Sequence, residues 1–133
     1  MKITVLKNNL KNSLDAVSRI VGENNNLPIL KNVLIKSESG KINISSTDLE
    51  TAIIKKVAGK SVEDGQITVP FSIFNNVINN IQSERIDLEA KKNNILIKTD
   101  SYEAKIQGMD SEDFPIIPKI EEKNEFFELK EEN

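Results

Sequence analysis

The sequence contains no cysteine and no histidine. Without cysteine there are no disulfides, thiolate metal sites or cysteine nucleophiles. Without histidine the usual general base at neutral pH is missing, as are the serine triad and imidazole metal ligands. Only carboxylates remain for acid–base or metal chemistry. No apolar run approaches the roughly 18 residues that a membrane helix needs. The opening stretch MKITVLKNNL lacks the continuous apolar centre of a signal peptide. The expected location is the cytoplasm, with no membrane partner. Arginine is scarce too: of 18 basic residues only Arg19 and Arg85 are not lysine, and the net charge is −3. Such a chain binds nucleic acid only if its lysines cluster, because counterion release depends on local positive charge.

What is present fits one domain. The 133 residues are 38% hydrophobic and 29% charged, enough for a core that buries roughly two-thirds of the unfolded chain's surface. ITVL (Ile3 to Leu6) has the residue types of a short strand. Leu6, Leu10, Leu14, Val17 and Val21 then recur at steps of three and four, one buried stripe of a helix over Asn8 to Val21. Gly22 suits its C-cap. Pro28 pushes Leu27 toward an extended conformation, which predicts a crossing loop. The next stretch, KNVLIKSESGKINISSTDLETAIIKKV, reads as three strands turning at Ser39-Gly40 and Thr47-Asp48.

The pattern then restarts. QITVP is a strand, and FSIFNNVINNIQ places Phe74, Val77, Ile78 and Ile81 on one helical face. RIDLEAKKNNILIKTDSYEAKIQG is again three strands, its first hairpin turning at Asn93-Asn94. The two three-strand stretches align without a gap fifty-three residues apart, with Val33 on Ile86, Ile35 on Leu88, Ile42 on Ile95, Ile44 on Ile97, Glu50 on Glu103 and Ile53 on Ile106. Any two meanders alternate apolar and polar residues, but equal hairpins behind a strand and a helix point to a duplicated β-α-β-β-β unit. The fold class that follows is α+β, two helices packed on antiparallel sheets.

DSEDFPIIPKIEEKNE, with Pro115 and Pro118, reads as a linker. After it FELKEEN repeats the strand-then-polar pattern of ITVLKNN. The expected division is a domain over 1–123 and the start of a second, truncated copy over 124–133. Asp48 with Glu50, and Asp110 with Glu112 and Asp113, are the acidic clusters that could hold Mg²⁺. Neither has calcium-loop spacing, so turn and linker roles are expected, with no metal and no cofactor. A carboxylate-metal hydrolase built on Asp48 and Glu50 is the enzymatic alternative. A small module dimerising through the SYEAKIQG edge is the other.

MKITV, LPIL followed by Asn32, STDLE (Ser46 to Glu50), Val69-Pro70 with Phe74, and DFP (Asp113 to Pro115) occur in an order and at a spacing that carry a resemblance. The chain resembles the N-terminal domain of the bacterial DNA polymerase III beta subunit, the replication sliding clamp. The resemblance implies a ring of two chains with three similar domains each, closed around duplex DNA, helices lining the hole and sheets forming the outer wall. It implies a processivity factor rather than an enzyme, a non-catalytic subunit that tethers the replicative polymerase during DNA replication. The present chain would be the first of three domains, with polymerase and clamp loader binding through the others. It also implies residue roles. Lys7 and Lys11 on the first helix become soft phosphate partners; Asn24, Ser72 and Asn79 stand where basic residues often occur and look toward DNA. Without that implication Lys7, Lys11, Asp15 and Arg19 make a solvated face with i,i+4 ion pairs. Ile73 and Ile78, with Tyr102, Ala104 and Ile106 on one face of a strand, match the part that closes the ring against the partner chain.

Overall fold

The structure, a computed structural model, describes residues 1–21 and 28–115. Strand β1 (Lys2–Leu6) runs directly into helix α1 (Lys7–Val17), and strands β2 (Asn32–Glu38), β3 (Lys41–Thr47) and β4 (Ala52–Lys56) follow. A further strand, β5 (Gly59–Glu63), precedes β6 (Gly65–Pro70), helix α2 (Phe71–Asn80), β7 (Arg85–Lys91), β8 (Asn94–Lys98) and β9 (Glu103–Gln107). Two antiparallel sheets result, in the orders β5-β1-β7-β8-β9 and β4-β3-β2-β6. The expected α+β class with two helices against antiparallel sheets is what the chain adopts.

The sheets are built by exchange between the two units. β1 pairs with β7 and β6 with β2, so each unit gives its first strand to the other's sheet. The duplication is visible in the register. Leu34 lies opposite Ser45, and Asp87, fifty-three residues on, lies opposite Lys98. Ile3 faces Leu88 while Ile67 faces Ile35, which makes Ile3 and Ile67 counterparts. The helices follow suit: Leu10, Leu14 and Val17 are matched by Phe74, Ile78 and Ile81, all buried in one core that both sheets share. A Cβ on Gly59 would meet the Thr4 carbonyl oxygen at 2.6 Å, and one on Gly108 would meet that of Thr68 at 2.4 Å. Both positions therefore admit only glycine, for the same reason, in both halves.

Several expectations need correction. Helix α1 ends at Val17 and continues as a 3-10 turn over Ser18–Ile20. Leu6 is not part of its stripe; as the last residue of β1 it is exposed. The gapless alignment fails beyond the third strand, because the β3–β4 hairpin is two residues longer on each arm. Ile44 lies opposite Lys55, but its counterpart Ile97 lies opposite Ala104. Lys55 therefore matches Ala104, Ile53 matches Tyr102, and Val57 rather than Ile53 matches Ile106. The second-unit turn is Lys92–Asn93, not Asn93-Asn94, since Lys91 already pairs with Asn94; Lys92 takes the positive φ of 55°. Strand β5 was not expected. It packs on β1, a role that the second unit reduces to one bridge between Thr68 and Met109. The supposed linker is anchored at its start: Asp110 Oδ1 accepts from Glu112 N at 2.9 Å, Gln66 Nε2 donates to Ser111 Oγ at 3.0 Å, and Phe114 is buried. Gly22, and the boundary between 1–123 and 124–133, lie outside the described residues.

Candidate functional site

The two helices lie against each other on one side of the domain, and what they expose defines the candidate surface. On α1 these are Asn8, Lys11, Asn12 and Asp15, with Arg19 following in the 3-10 turn; on α2 they are Ser72, Ile73, Asn76, Asn79 and Asn80. The first set mixes charges, whereas helix α2 carries none at all. Among the described residues, Asp15 makes no ion pair with Lys11 or Arg19, so the expected i,i+4 pairs are not formed and both cations face outward. Lys11, Ser72 and Asn79 are exposed on this surface. Asn24 lies outside the described residues.

Lys7 is the exception. Its backbone N–H donates to the Glu84 carbonyl at 2.7 Å, and its ammonium donates to the carbonyls of Ile81 and, at 3.4 Å, Asn79. These are carbonyls at the end of α2, where no intrahelical donor is left and the helix dipole favours a cation. The expected phosphate role is corrected accordingly: Lys7 caps α2 and ties the start of one helix to the end of the other.

The residues expected at the ring-closing face divide in the same way. Ile78 is 0% exposed and Ile106 6%, both inside the domain's own core and therefore not displayed to a partner. Ile73 at 52% and Tyr102 at 43% are exposed, and Ala104 is partly buried on the helix side of β9. Among the described residues β9 has β8 as its one neighbour, so its other edge presents unpaired backbone groups there, as does that of β4 in the second sheet. These two edge strands are counterparts in the duplication.

A cleft of about 290 Å³ opens along α1 and β4 between Asn9, Asn12, Ser13, Lys55 and Lys56. In the second half the positions equivalent to Asn9, Ser13 and Lys55 are Ile73, Val77 and Ala104, the last two packed against the core. Lys55 sits directly opposite buried Ile44, so it shares the helix-facing side of the sheet. Sequence reasoning missed it. The alternation Ile53, Lys55, Val57 carries the signal, once the phase of β4 is taken from the buried Val57.

Asp48 is fully engaged in the β3–β4 turn. Its Oδ1 accepts from Thr51 N at 2.7 Å, Glu50 N at 2.9 Å and Thr51 Oγ1 at 3.1 Å. The Thr51 N–H foremost, then that of Glu50, hold its carboxyl below the usual carboxylate range. Leu49, between them, adopts φ 81° and is exposed. This is a turn-forming carboxylate, and Asp110 is a capping one. No group of three or more acidic residues converges among the described residues.

Residues 1–118 match the family described as DNA polymerase III beta subunit, N-terminal domain. The beta sliding clamp of Synechococcus elongatus is 27% identical over 124 residues, covering 91% of this chain and 33% of the relative. Among solved structures, a sliding clamp from Bartonella birtlesii, bound to griselimycin, superimposes with a TM-score of 0.82 at 29% identity, covering 88% of this chain and 32% of that one. The DNA polymerase III beta subunit of Thermotoga maritima gives a TM-score of 0.81 at 25% identity, covering 87% and 32%. The chain thus spans about a third of the length of the relatives it matches.

Proposed function

Because the chain belongs to the DNA polymerase III beta subunit family, as its N-terminal domain, we propose that it supplies one arc of a ring that encircles duplex DNA. The ring is a non-catalytic processivity factor. It tethers the replicative polymerase topologically, without gripping any sequence, and works in the cytoplasm. No helix among the described residues is long and apolar enough to cross a membrane, which is consistent with that location.

The observation that carries the reading is the placement of two equivalent sheet edges, β4 and β9, each without a further neighbour among the described residues, on either side of one polar helix pair. Such edges let each sheet continue into a neighbouring domain, so that the helix pairs of successive domains line a common inner wall. In this arrangement the β9 edge, with Ile73, Tyr102 and Ala104, meets the second chain of a homodimeric ring. Lys11, Ser72 and Asn79 look into the hole. Two exposed cations, Lys11 and Arg19, and several amides hold phosphates weakly and through water, which suits a ring that must slide. Polymerase and clamp loader are engaged through domains other than this one, so the 133-residue chain alone binds duplex DNA weakly.

The test is the mass of the native polypeptide, detected with an antibody in an extract of its source cell on a denaturing gel. A band near three times the mass of this chain is expected. A band at 14.9 kDa would leave ring formation to self-association of the short chain, and a monomer at that mass in solution would overturn the proposal.

A further inference from the structure

One row of side chains crosses the four-stranded sheet on the face away from the helices, and it is apolar where a solvated face would be polar. Ser46 Oγ donates to the Val17 carbonyl at 2.8 Å, so Ile44 and Ser46 point toward α1 and Ser45 between them points away. Thr68 lies opposite Leu34, Leu34 opposite Ser45, and Ser45 opposite Ile54, an unbroken row from β6 to β4. Thr68 and Ser45 are buried, and Leu34 and Ile54 are half-buried. Neither Leu34 nor Ile54 packs against the core beneath the helices.

The internal duplication supplies the control. The same row in the five-stranded sheet is Thr4, Asp87, Lys98 and Glu103. There Thr4 Oγ1 donates to Asp87 Oδ1 at 2.7 Å, and Lys98 pairs with Glu103 at 3.5 Å. The charged side chains of that row satisfy their neighbours and remain accessible to water. The fold therefore accepts a charged row at these positions. Apolar residues in their place in the other sheet call for a cover.

We infer that residues 116–120, the stretch IIPKI, are that cover: a strap across the row from the β6 edge to the β4 edge. The chain arrives at the correct end. Met109 bridges to Thr68, Gln66 Nε2 donates to Ser111 Oγ at 3.0 Å, and Phe114 is buried outside the main core. Phe114 is extended, with φ −77° and ψ 135°. The length fits, because three interstrand gaps come to about 14 Å and five extended residues span about 16 Å. The chemistry fits as well. Ile116, Ile117 and Ile120 match Leu34 and Ile54, and Pro118 keeps Ile117 extended, so less freedom is lost on docking. Glu121 and Glu122 then come to the β4 end, where Lys56 follows Ile54 on the same face. The inference deepens the proposed function and rests on it for its consequence. A strap that ends at β4 delivers the continuing chain to that edge, which makes β4 the junction within a chain and leaves β9 for the second chain.

The chain has no cysteine, so Lys119→Cys provides a single site for a nitroxide label. The experiment is a methyl NMR spectrum of the labelled 133-residue chain, recorded before and after reduction of the nitroxide. The Leu34 and Ile54 methyls should lose most of their intensity, while Leu96 on the five-stranded sheet keeps its own. Adding Ile117→Asp and Ile120→Asp should restore the lost signals, with the core methyls of Ile44 and Ile97 unmoved to show that the variant folds. Unbroadened Leu34 and Ile54 would overturn the strap. So would broadening that survives the two aspartates or spreads equally to Leu96. Leu34 and Ile54 signals that shift with protein concentration and ignore the label would overturn it in favour of a second copy on that face. A docked strap in a polypeptide of 14.9 kDa native mass would keep the strap and remove its consequence for the ring. An undocked strap in a native polypeptide of three times that mass would overturn the inference and leave the ring standing.

Discussion

The two halves of this domain have the same interior and different exteriors. Ile3, Val5, Leu10, Leu14 and Val57 are answered by Ile67, Val69, Phe74, Ile78 and Ile106, and Gly59 by Gly108, each in the same place and the same state of burial or contact. Outside, α1 carries Lys11, Asp15 and a nearby Arg19, while α2 shows only amides, a serine and Ile73. The edge strands differ likewise, Lys55 standing where Ala104 stands. The core is where volume and shape constrain a duplicated unit, whereas surface positions are free to take up separate tasks. The difference leaves the first half's exterior charged and the second half's polar and apolar.

The largest effect should come from breaking the shared interior. Phe74→Ala removes the bulkier of a matched pair and should cost about 3–5 kcal/mol, with Leu10→Ala at about 2–5 kcal/mol, read from urea unfolding. Next are the two glycines. Gly59→Ala and Gly108→Ala each force a Cβ against a carbonyl oxygen, and each should destabilise by about 1–3 kcal/mol. Equal losses would sharpen the comparison; a loss at one glycine only would break it.

A smaller effect is expected where the halves differ. Lys7 caps α2, but its counterpart Phe71 offers α1 no such group. Lys7→Met keeps most of the side-chain volume and should cost about 1 kcal/mol. Hydrogen-exchange protection should fall chiefly at the end of α2. The smallest effect concerns Asp48. Its folded pKa is lowered, so its contribution is present above the ordinary value of 3.8 and is lost as pH falls through the lowered folded value. Asp48 is exposed to solvent, which keeps the contribution small. Asp48→Asn should flatten that part of the pH–stability profile and leave stability at neutral pH nearly unchanged, as thermal unfolding across pH 2–6 would register.

Much of this was legible in the sequence because it is local. The order of strands and helices and the stripes Leu10-Leu14-Val17 and Phe74-Ile78-Ile81 follow from periodicity, and the first hairpin of the first unit from its Ser39-Gly40 turn. Strand β5 was not legible: GKSVE turns no side chain into the core, and backbone pairing with β1 is what orders it. The exchange of β1 and β6 between sheets is tertiary and leaves no local mark. At the candidate surface, helical phase identified Lys11, Asp15 and Arg19 as exposed, while Ser72 and Asn79 came from the resemblance alone. It could not show that Lys7 reaches across to α2. The assumption of equal hairpins displaced the β4 register, and with it Lys55 went unseen.

The most direct test of the account is retention on DNA by topology. The native protein is assembled on a nicked circular plasmid, with its loading machinery supplied from cell extract, and the plasmid is then cut once. A ring whose inner wall holds phosphates weakly should stay on the circle through gel filtration at elevated salt and be lost on linearisation. Equal retention on circular and linear DNA would contradict it, because the protein would then be gripping DNA and not encircling it.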